Sequence, residues 1–167
     1  MKTKILLIIF TIPFLALIIT LIIFSLKNNK EEEKEAPSYI IQRVEMKVND
    51  YTLYILLEGN EASSDLVKKI NEEESLTIEF SDYGGFEKVG NLGFDLKTND
   101  TRITTEENDV MLYQGNKIVL FYGKNTYSYT RLGKIINDTG VDLKTILSGN
   151  KVTITLKMEP IKNILYS

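Results

Sequence analysis

An apolar segment near the amino terminus, residues 5–26, divides this chain into two parts of different composition. The segment contains about 22 residues and no charged side chain. A helix of that length rises about 1.5 Å per residue and reaches across the roughly 30 Å hydrocarbon core of a bilayer. The remainder of the 167-residue chain mixes polar and apolar residues as soluble domains do. The chain is therefore predicted to be one globular domain on a membrane tether.

The residues that flank this segment favour an anchor over a cleaved signal. Lys2 and Lys4 precede it, as in signal peptides and signal-anchors. The run is longer than the roughly 7–15 apolar residues of a signal peptide, and no small-residue cleavage site follows it. We therefore expect a single-pass protein of the cell membrane, with secretion after signal cleavage as the alternative. Because the tail before the run is very short, the domain is expected to face outside the cell.

Composition also sets the domain boundaries. Residues 1–30 are assigned to the anchor, and residues 31–38 are rich in glutamate and read as a charged linker. Residues 39–158 have the size of a single domain with one core, and residues 159–167 form a tail.

Charge and missing residue types exclude several functions. The chain has a formal net charge of −3, and its first 30 residues carry four lysines and no acid. Subtracting those four charges leaves −7 for the rest. Without a basic stripe, nucleic acid is not an expected partner. Histidine and cysteine are absent, which removes Ser-His-Asp triads, Cys-His pairs and ordinary zinc sites. No metal site and no cofactor is predicted.

The rest of the chain shows the residue patterns of strands, together with two short segments that have the spacing of helices. Residues 39–48 and 51–57 predict a hairpin around Asn49-Asp50, and residues 76–80 alternate as a half-buried strand. Helices are predicted over residues 62–70, with Ser63 or Ser64 as N-cap, and over residues 141–147. Further strands are predicted over residues 86–89, 92–96, 110–113, 117–122, 127–136 and 151–157.

About eight strands with turn signals every 8–12 residues favour a closed or nearly closed antiparallel barrel. Its predicted core consists of Leu53, Ile55, Leu66, Ile70, Ile78, Phe80, Leu112, Leu120, Leu132, Leu147, Val152 and Ile154.

Five segments together resemble one known family. They read LLEGNEASSDLVKKI, LTIEFSDYGGFEKVGNL, NDVMLYQGNKIVLFYG, YTRLGKI and LSGNKVTITL. In this order and spacing, over about residues 44–157, the chain resembles the small bacterial cyclophilin-like domains. The resemblance implies a mainly β fold, a closed eight-stranded antiparallel barrel with two short helices.

The resemblance implies less about activity. Cyclophilins are peptidyl-prolyl isomerases whose signature includes an arginine in a Phe-His-Arg run and a Phe-x-x-Gln-Gly-Gly-Asp segment. This chain has no histidine, Arg102 is predicted to lie in a polar loop without the aromatic context, and Gln114-Gly115 fits a hairpin turn. The isomerase residues are not transferred, and the catalytic residues stay unknown. Enzymatic activity is not expected; if present, it would be prolyl isomerisation.

Two arginines and several tyrosines are candidates for a ligand groove. Arg102 and Arg131 could bind a carbonyl or carboxylate, or form surface ion pairs. Aromatic rings with polar tips suit a groove for peptides or planar ligands, or simply pack the barrel and its rim. The tyrosine candidates are Tyr83, Tyr113, Tyr122 and Tyr127, beside Tyr129, Phe86 and Phe121. Tyr127 and Tyr129 should face the same side of a strand.

Two acids near a glycine pair leave another choice open. Asp82 and Glu87 flank Gly84-Gly85. They could form an acid–base pair or a cation site, or serve as a turn cap and an ordinary strand residue.

The leading hypothesis is a membrane-anchored, extracytoplasmic and non-catalytic module that binds a peptide or small ligand. One alternative is a weak prolyl isomerase acting on exported proteins, with Arg102 or Arg131 as the hydrogen-bond donor. Another is a structural subunit that docks to a membrane complex through an exposed strand or residues 159–167. The expected partners are the membrane, through residues 5–26, and the ligand.

Overall fold

Eight antiparallel strands close into a barrel in the computed structural model, which describes residues 43–159. The order around the barrel is β2, β1, β9, β3, β4, β7, β6 and β8, and β8 returns to pair with β2. A ninth strand, β5, pairs with the first half of β8. The strands are β1 (Arg43–Val48), β2 (Tyr51–Leu57), β3 (Leu76–Tyr83), β4 (Glu87–Asn91), β5 (Thr101–Thr104), β6 (Asp109–Tyr113), β7 (Lys117–Phe121), β8 (Thr126–Ile136) and β9 (Lys151–Met158). The helices are α1 (Glu61–Glu72) and α2 (Leu143–Ile146). The predicted mainly β barrel with two short helices is confirmed.

The barrel interior is filled by alternate residues of its strands. Side chains in a strand point to opposite faces in turn, so every second residue of β1, β2, β3 and β9 enters the core. An eight-stranded barrel is just wide enough for side chains to fill. All twelve residues predicted for the core are buried in this one interior cluster.

Helix α1 packs on the barrel through Leu66 and Ile70 and begins one residue after Asn60. The Asn60 side chain accepts a hydrogen bond of 2.9 Å from the Ser63 amide, which satisfies a free N–H of the first turn. The predicted cap at Ser63 or Ser64 is therefore wrong. Both serines lie inside the first turn, where their hydroxyls donate to the Asn60 carbonyl.

The predicted strand over residues 92–96 is also wrong. Leu92 and Leu96 are buried in the core, but they lie in a loop in which Gly93 has φ +81. The amides of Leu92 and Leu96 donate to backbone oxygens of the β6–β7 turn, at 2.9 and 2.7 Å, rather than to a strand. The predicted polar loop around Arg102 is wrong too, because these residues pair with β8 and form β5.

The predicted anchor in residues 1–30, the linker at residues 31–38 and most of the tail lie outside the described residues. Among residues 43–159, no helix is both long and apolar enough to span a bilayer.

Closure between β2 and β8 depends on Gly133, which lies opposite Leu57. A Cβ at Gly133 would overlap the Leu56 carbonyl oxygen, a backbone atom that cannot move without separating the two strands. Gly133→Ala is expected to lower the free energy of unfolding by about 2–3 kcal/mol, measured by denaturant titration of the full chain in nonionic detergent. Lys134→Ala, at the exposed neighbouring position, should change it by less than about 0.5 kcal/mol. Equal stability of Gly133→Ala and the wild type would contradict this account of closure.

Candidate functional site

A second hydrophobic cluster lies on the outside of the barrel. Because side chains alternate, Met111 of β6 and Val119 and Phe121 of β7 point away from the interior. The β5–β8 pair packs against them through Tyr129, which is buried, and Ile103. This contact covers one part of the outer barrel wall with a second layer of side chains.

Aromatic rings dominate this layer. The Tyr129 ring meets Phe121 at 5.5 Å, Tyr113 at 5.9 Å and Tyr127 at 6.0 Å between centroids, all in edge-to-face arrangements. Such pairs contribute about 0.5–1.5 kcal/mol beyond the area they bury. The prediction that Tyr127 and Tyr129 share one face of their strand is confirmed.

Two exposed tyrosines lie at the edges of this layer. Tyr127 is 52% exposed at one edge and Tyr83 is 64% exposed at another. Tyr83 contacts Phe86 edge-to-face at 6.4 Å, and Phe86 packs on the outer cluster. We call this set of rings the outer aromatic surface: Tyr83, Phe86, Tyr113, Phe121, Tyr127 and Tyr129.

A buried carboxyl group lies within the outer aromatic surface. Glu87 is 5% exposed and lies opposite Tyr83 on β3 and Phe121 on β7. Its Oε2 atom is buried and has no hydrogen-bond partner among the described residues. Burial raises the pKa of Glu87 to about 7, against the opposing effect of a hydrogen bond from Asn125. The carboxyl therefore titrates near neutral pH.

Asn125 connects this carboxyl to its surroundings. Its side-chain amide donates to the Tyr129 hydroxyl at 2.9 Å. Its backbone is held by Thr105, whose amide donates to the Asn125 carbonyl at 2.7 Å. Burial, followed by the charge of Glu87, raises the pKa of Tyr129 to about 12, so this phenol stays neutral.

Tyr122, a predicted groove residue, lies in a different network. Its hydroxyl donates to Asp82, which also accepts from the buried Lys88 ammonium at 3.2 Å. Lys88 donates in addition to the Gly149 carbonyl. The bond from Tyr122 is the main cause that holds the pKa of Asp82 below its ordinary value, and burial raises the pKa of Tyr122 well above 10. Asp82 and Glu87 thus belong to separate networks and do not form an acid–base pair.

The structure also separates the two candidate arginines. Arg131 donates to the buried Asp109 at 2.9 Å, and the second oxygen of Asp109 accepts from the Glu106 amide at 3.0 Å. Arg102 is exposed on β5 opposite Ser128, on the side of the strand away from Ile103. Of the predicted groove residues, Tyr83, Tyr113 and Tyr127 lie on the outer aromatic surface. Arg131 pairs with Asp109, Tyr122 donates to Asp82, and Arg102 is exposed on β5.

A cleft of about 520 Å³ opens beside the start of α1. Its walls include Asn60, Lys97 and Thr130. Thr130 donates to Asp100 at 2.5 Å and accepts from the Asn99 amide at 2.7 Å, so its hydroxyl is already paired. No cluster of three acidic side chains suited to a metal ion occurs in residues 43–159.

Sequence reasoning missed Asn125 and the isolation of Glu87. Glu87 is flanked by ordinary strand residues, and Asn125 lies about 40 residues further on in a turn-like stretch. Neither has a local pattern that points to the other. The one feature of the sequence that could have indicated this site was the position of Glu87 on the outward face of β4.

Removing the charge of Glu87 should change how stability depends on pH. Because burial raises its pKa from 4.5 to about 7, the folded state holds the proton more tightly than the unfolded chain. The free energy of unfolding should therefore fall by roughly 3 kcal/mol as the pH rises from about 4.5 through 7 and then level off. Denaturant titrations from pH 5 to pH 8 should show this fall for the wild type and for Glu79→Gln, an exposed control. Glu87→Gln should lack it, and parallel curves for Glu87→Gln and wild type would contradict the assignment.

Removing Arg131 should leave the Asp109 carboxylate buried without its cation. Arg131→Ala is expected to lower the free energy of unfolding by about 2 kcal/mol. Arg102→Ala is the matched control, because that side chain is exposed, and it should stay within about 0.5 kcal/mol of wild type. Similar denaturant midpoints for the two variants would show that Arg131 is not structural.

Comparisons with known proteins agree with this fold. Residues 46–159 match the Cyclophilin-like family. A search of curated proteins found no match to this chain. Among solved structures, the solution structure of the hypothetical protein AF2241 from Archaeoglobus fulgidus superposes with a TM-score of 0.54 at 16% identity. The alignment covers 71% of this chain and 95% of that one, and at this identity it supports the fold alone. Since the family match spans more than half of its residues, the chain belongs to the cyclophilin-like family.

Proposed function

We propose that this cyclophilin-like domain is a non-catalytic module that binds a peptide segment on its outer aromatic surface. The observation that carries the proposal is the placement of Tyr83 and Tyr127. They are the most exposed large side chains with apolar surface among the described residues, and both border the same outer layer. Amphipathic rings at an exposed position supply contact area at a low entropic cost, as binding surfaces require.

The state of the two arginines supports binding without catalysis. An isomerase needs a donor aimed at the peptide carbonyl, held where the peptide packs. Arg131 is engaged by Asp109, and Arg102 faces away from the rings. Neither side chain offers such a donor within the outer aromatic surface.

The proposed location follows from the sequence. Residues 1–30 would anchor the chain in the cell membrane, and the charged residues 31–38 would hold the domain off the lipid on its outer side. Peptide segments of exported or cell-surface proteins would then be the ligands within reach.

A titration of the isotope-labelled full chain in nonionic detergent tests the proposal. The probe is an acetylated Ala-Ala-Pro-Phe amide, with exchange spectroscopy on its cis and trans signals in the same sample. We expect chemical-shift changes at Tyr83, Phe86 and Tyr127 without faster cis–trans exchange. Tyr83→Ala and Tyr127→Ala should each weaken binding about two- to tenfold, the effect of losing one aromatic contact.

Tyr54→Ala is the matched control, because Tyr54 lies under Arg43 on the outer face of β2. It should leave binding unchanged. Faster cis–trans exchange would make the domain an isomerase, and absence of any shift at the three aromatic residues would overturn the proposed surface.

A further inference from the structure

We infer that Glu87 is the anionic centre of an ammonium-binding site within the outer aromatic surface. Its ionised carboxylate would receive a positively charged amine of the bound peptide, either a lysine side chain or a free amino terminus. The inference rests on the proposed function, because the amine belongs to that peptide.

The first support is the unsatisfied oxygen of Glu87. Nearly all buried polar side-chain atoms in proteins have a hydrogen-bond partner, and an unpartnered carboxylate oxygen is among the costliest exceptions. Glu87 Oε2 has none among residues 43–159, and the Asn125 side chain, which lowers the pKa of this carboxyl as a hydrogen-bond donor, does not satisfy that atom. A cationic N–H donor would satisfy the remaining oxygen.

The aromatic side chains around the carboxyl do not compete with a cation for it. Tyr83 lies opposite Glu87 on β3, and Tyr129 of β8 is within range of its charge. Tyr122 packs on the interior cluster, and its hydroxyl lies 3.3 Å from the backbone carbonyl oxygen of Glu87 rather than at the carboxyl. Burial, followed by the hydrogen bond to Asp82, raises the pKa of Tyr122, and burial, followed by the charge of Glu87, raises the pKa of Tyr129, so both phenols are neutral.

The nearby charged side chains engage elsewhere. Lys88 follows Glu87 in β4 but faces the other side of the strand, where it donates to Asp82 and the Gly149 carbonyl. Lys124 precedes Asn125 and is exposed. Neither forms an ion pair with Glu87 in the described part of the chain.

The aromatic rings favour the same ligand. A ring presents a negative face that attracts an ammonium within about 6 Å of its centroid. One ring of this surface already does so, since the Lys117 ammonium lies 5.6 Å from the centroid of Tyr113. Phe121 and Tyr129 beside Glu87 offer the same chemistry, and the acidic domain attracts cations over longer range.

We expect an amine to reach the carboxyl past the exposed ring of Tyr83. Residues directly opposite in an antiparallel pair have adjacent side chains, and Tyr83 is the residue opposite Glu87 on β3. Exposed side chains change rotamer within nanoseconds, so displacement of this one ring opens the way for an amine.

The titration of Glu87 predicts the direction in which peptide affinity should change with pH. With a Glu87 pKa of about 7, the ionised fraction rises from about one tenth at pH 6 to about nine tenths at pH 8. An amine that binds the ionised carboxylate displaces its proton to solvent, so affinity should rise about tenfold over this range. The bound peptide should in turn lower the pKa of Glu87.

The experiment uses the full chain in nonionic detergent with ¹³C-labelled glutamate carboxyls. Two acetylated probes, Ala-Lys-Ala-Pro-Phe amide and Ala-norleucine-Ala-Pro-Phe amide, differ by the ammonium alone. The lysine peptide should bind about tenfold more tightly at pH 8 than at pH 6 and move the Glu87 titration to lower pH. The norleucine peptide should do neither. At pH 7, a norleucine peptide without the acetyl group tests whether an amino terminus also serves.

Variants separate Glu87 from other acids. Glu87→Gln should remove the pH dependence of lysine-peptide binding, and Glu79→Gln, an exposed acid paired with Lys151 on the outer face of β3, should keep it. The carboxyl titration of the wild type tests the inference even if Glu87→Gln does not fold.

Equal affinity of both acetylated peptides at pH 8, with shifts at Tyr127, would overturn the ammonium site and leave the proposed function standing. Affinity that falls with rising pH would overturn it too, because a neutral carboxyl would then be donating to the peptide. If neither peptide binds, both proposals fail.

Discussion

Pairing between β2 and β8 is the contact on which the rest of the molecule depends. β8 is the longest strand, with 11 residues, and only its second half takes part in closure, at residues 133–136. Closure requires the two backbones to approach closely at Gly133, where any side chain would overlap the Leu56 carbonyl. The first half of β8 takes no part in this closure. It pairs with β5 and carries Tyr127 and Tyr129 onto the outer wall, so the geometry that closes the barrel also creates the outer aromatic surface.

Two adjacent residues of β4, Lys88 and Glu87, are both buried and ionisable, but their hydrogen-bond partners differ. Lys88 faces inward at one end of the barrel and finds two oxygen partners, Asp82 and the Gly149 carbonyl. Glu87 faces outward and leaves one oxygen without a partner. A satisfied buried ion pair is a structural feature, whereas an unsatisfied carboxyl in an aromatic layer has a cost that a bound cation would remove. This difference, rather than the number of charges, distinguishes the candidate site.

The sequence predicted what depends on local periodicity. Strands β2, β3 and β9 alternate clearly, so their faces and the twelve core residues followed from pattern alone. β5 has four mostly polar residues, and its pairing with β8 comes from tertiary packing. Leu92 and Leu96 have the apolar spacing typical of a strand. They instead lie in a loop with their side chains in the core, because their amides donate to backbone oxygens of the β6–β7 turn. The environment of Glu87 depends on Asn125, Tyr129 and Tyr83, which meet only after the barrel has closed.

The filled interior of the barrel confines the proposed ligand to its outside. The core of an eight-stranded barrel is occupied by its own side chains, as the continuous interior cluster here illustrates. The specificity of the proposed site would then depend on the parts that cover the outer barrel wall, namely the β5–β8 pair, the turn that holds Asn125, and Tyr83. These parts can change chemically while closure and core stay the same. Membership of the cyclophilin-like family therefore does not by itself identify a ligand. In this chain the tyrosines and the unpaired Glu87 oxygen, not the barrel itself, carry the argument for a peptide that brings a positive charge.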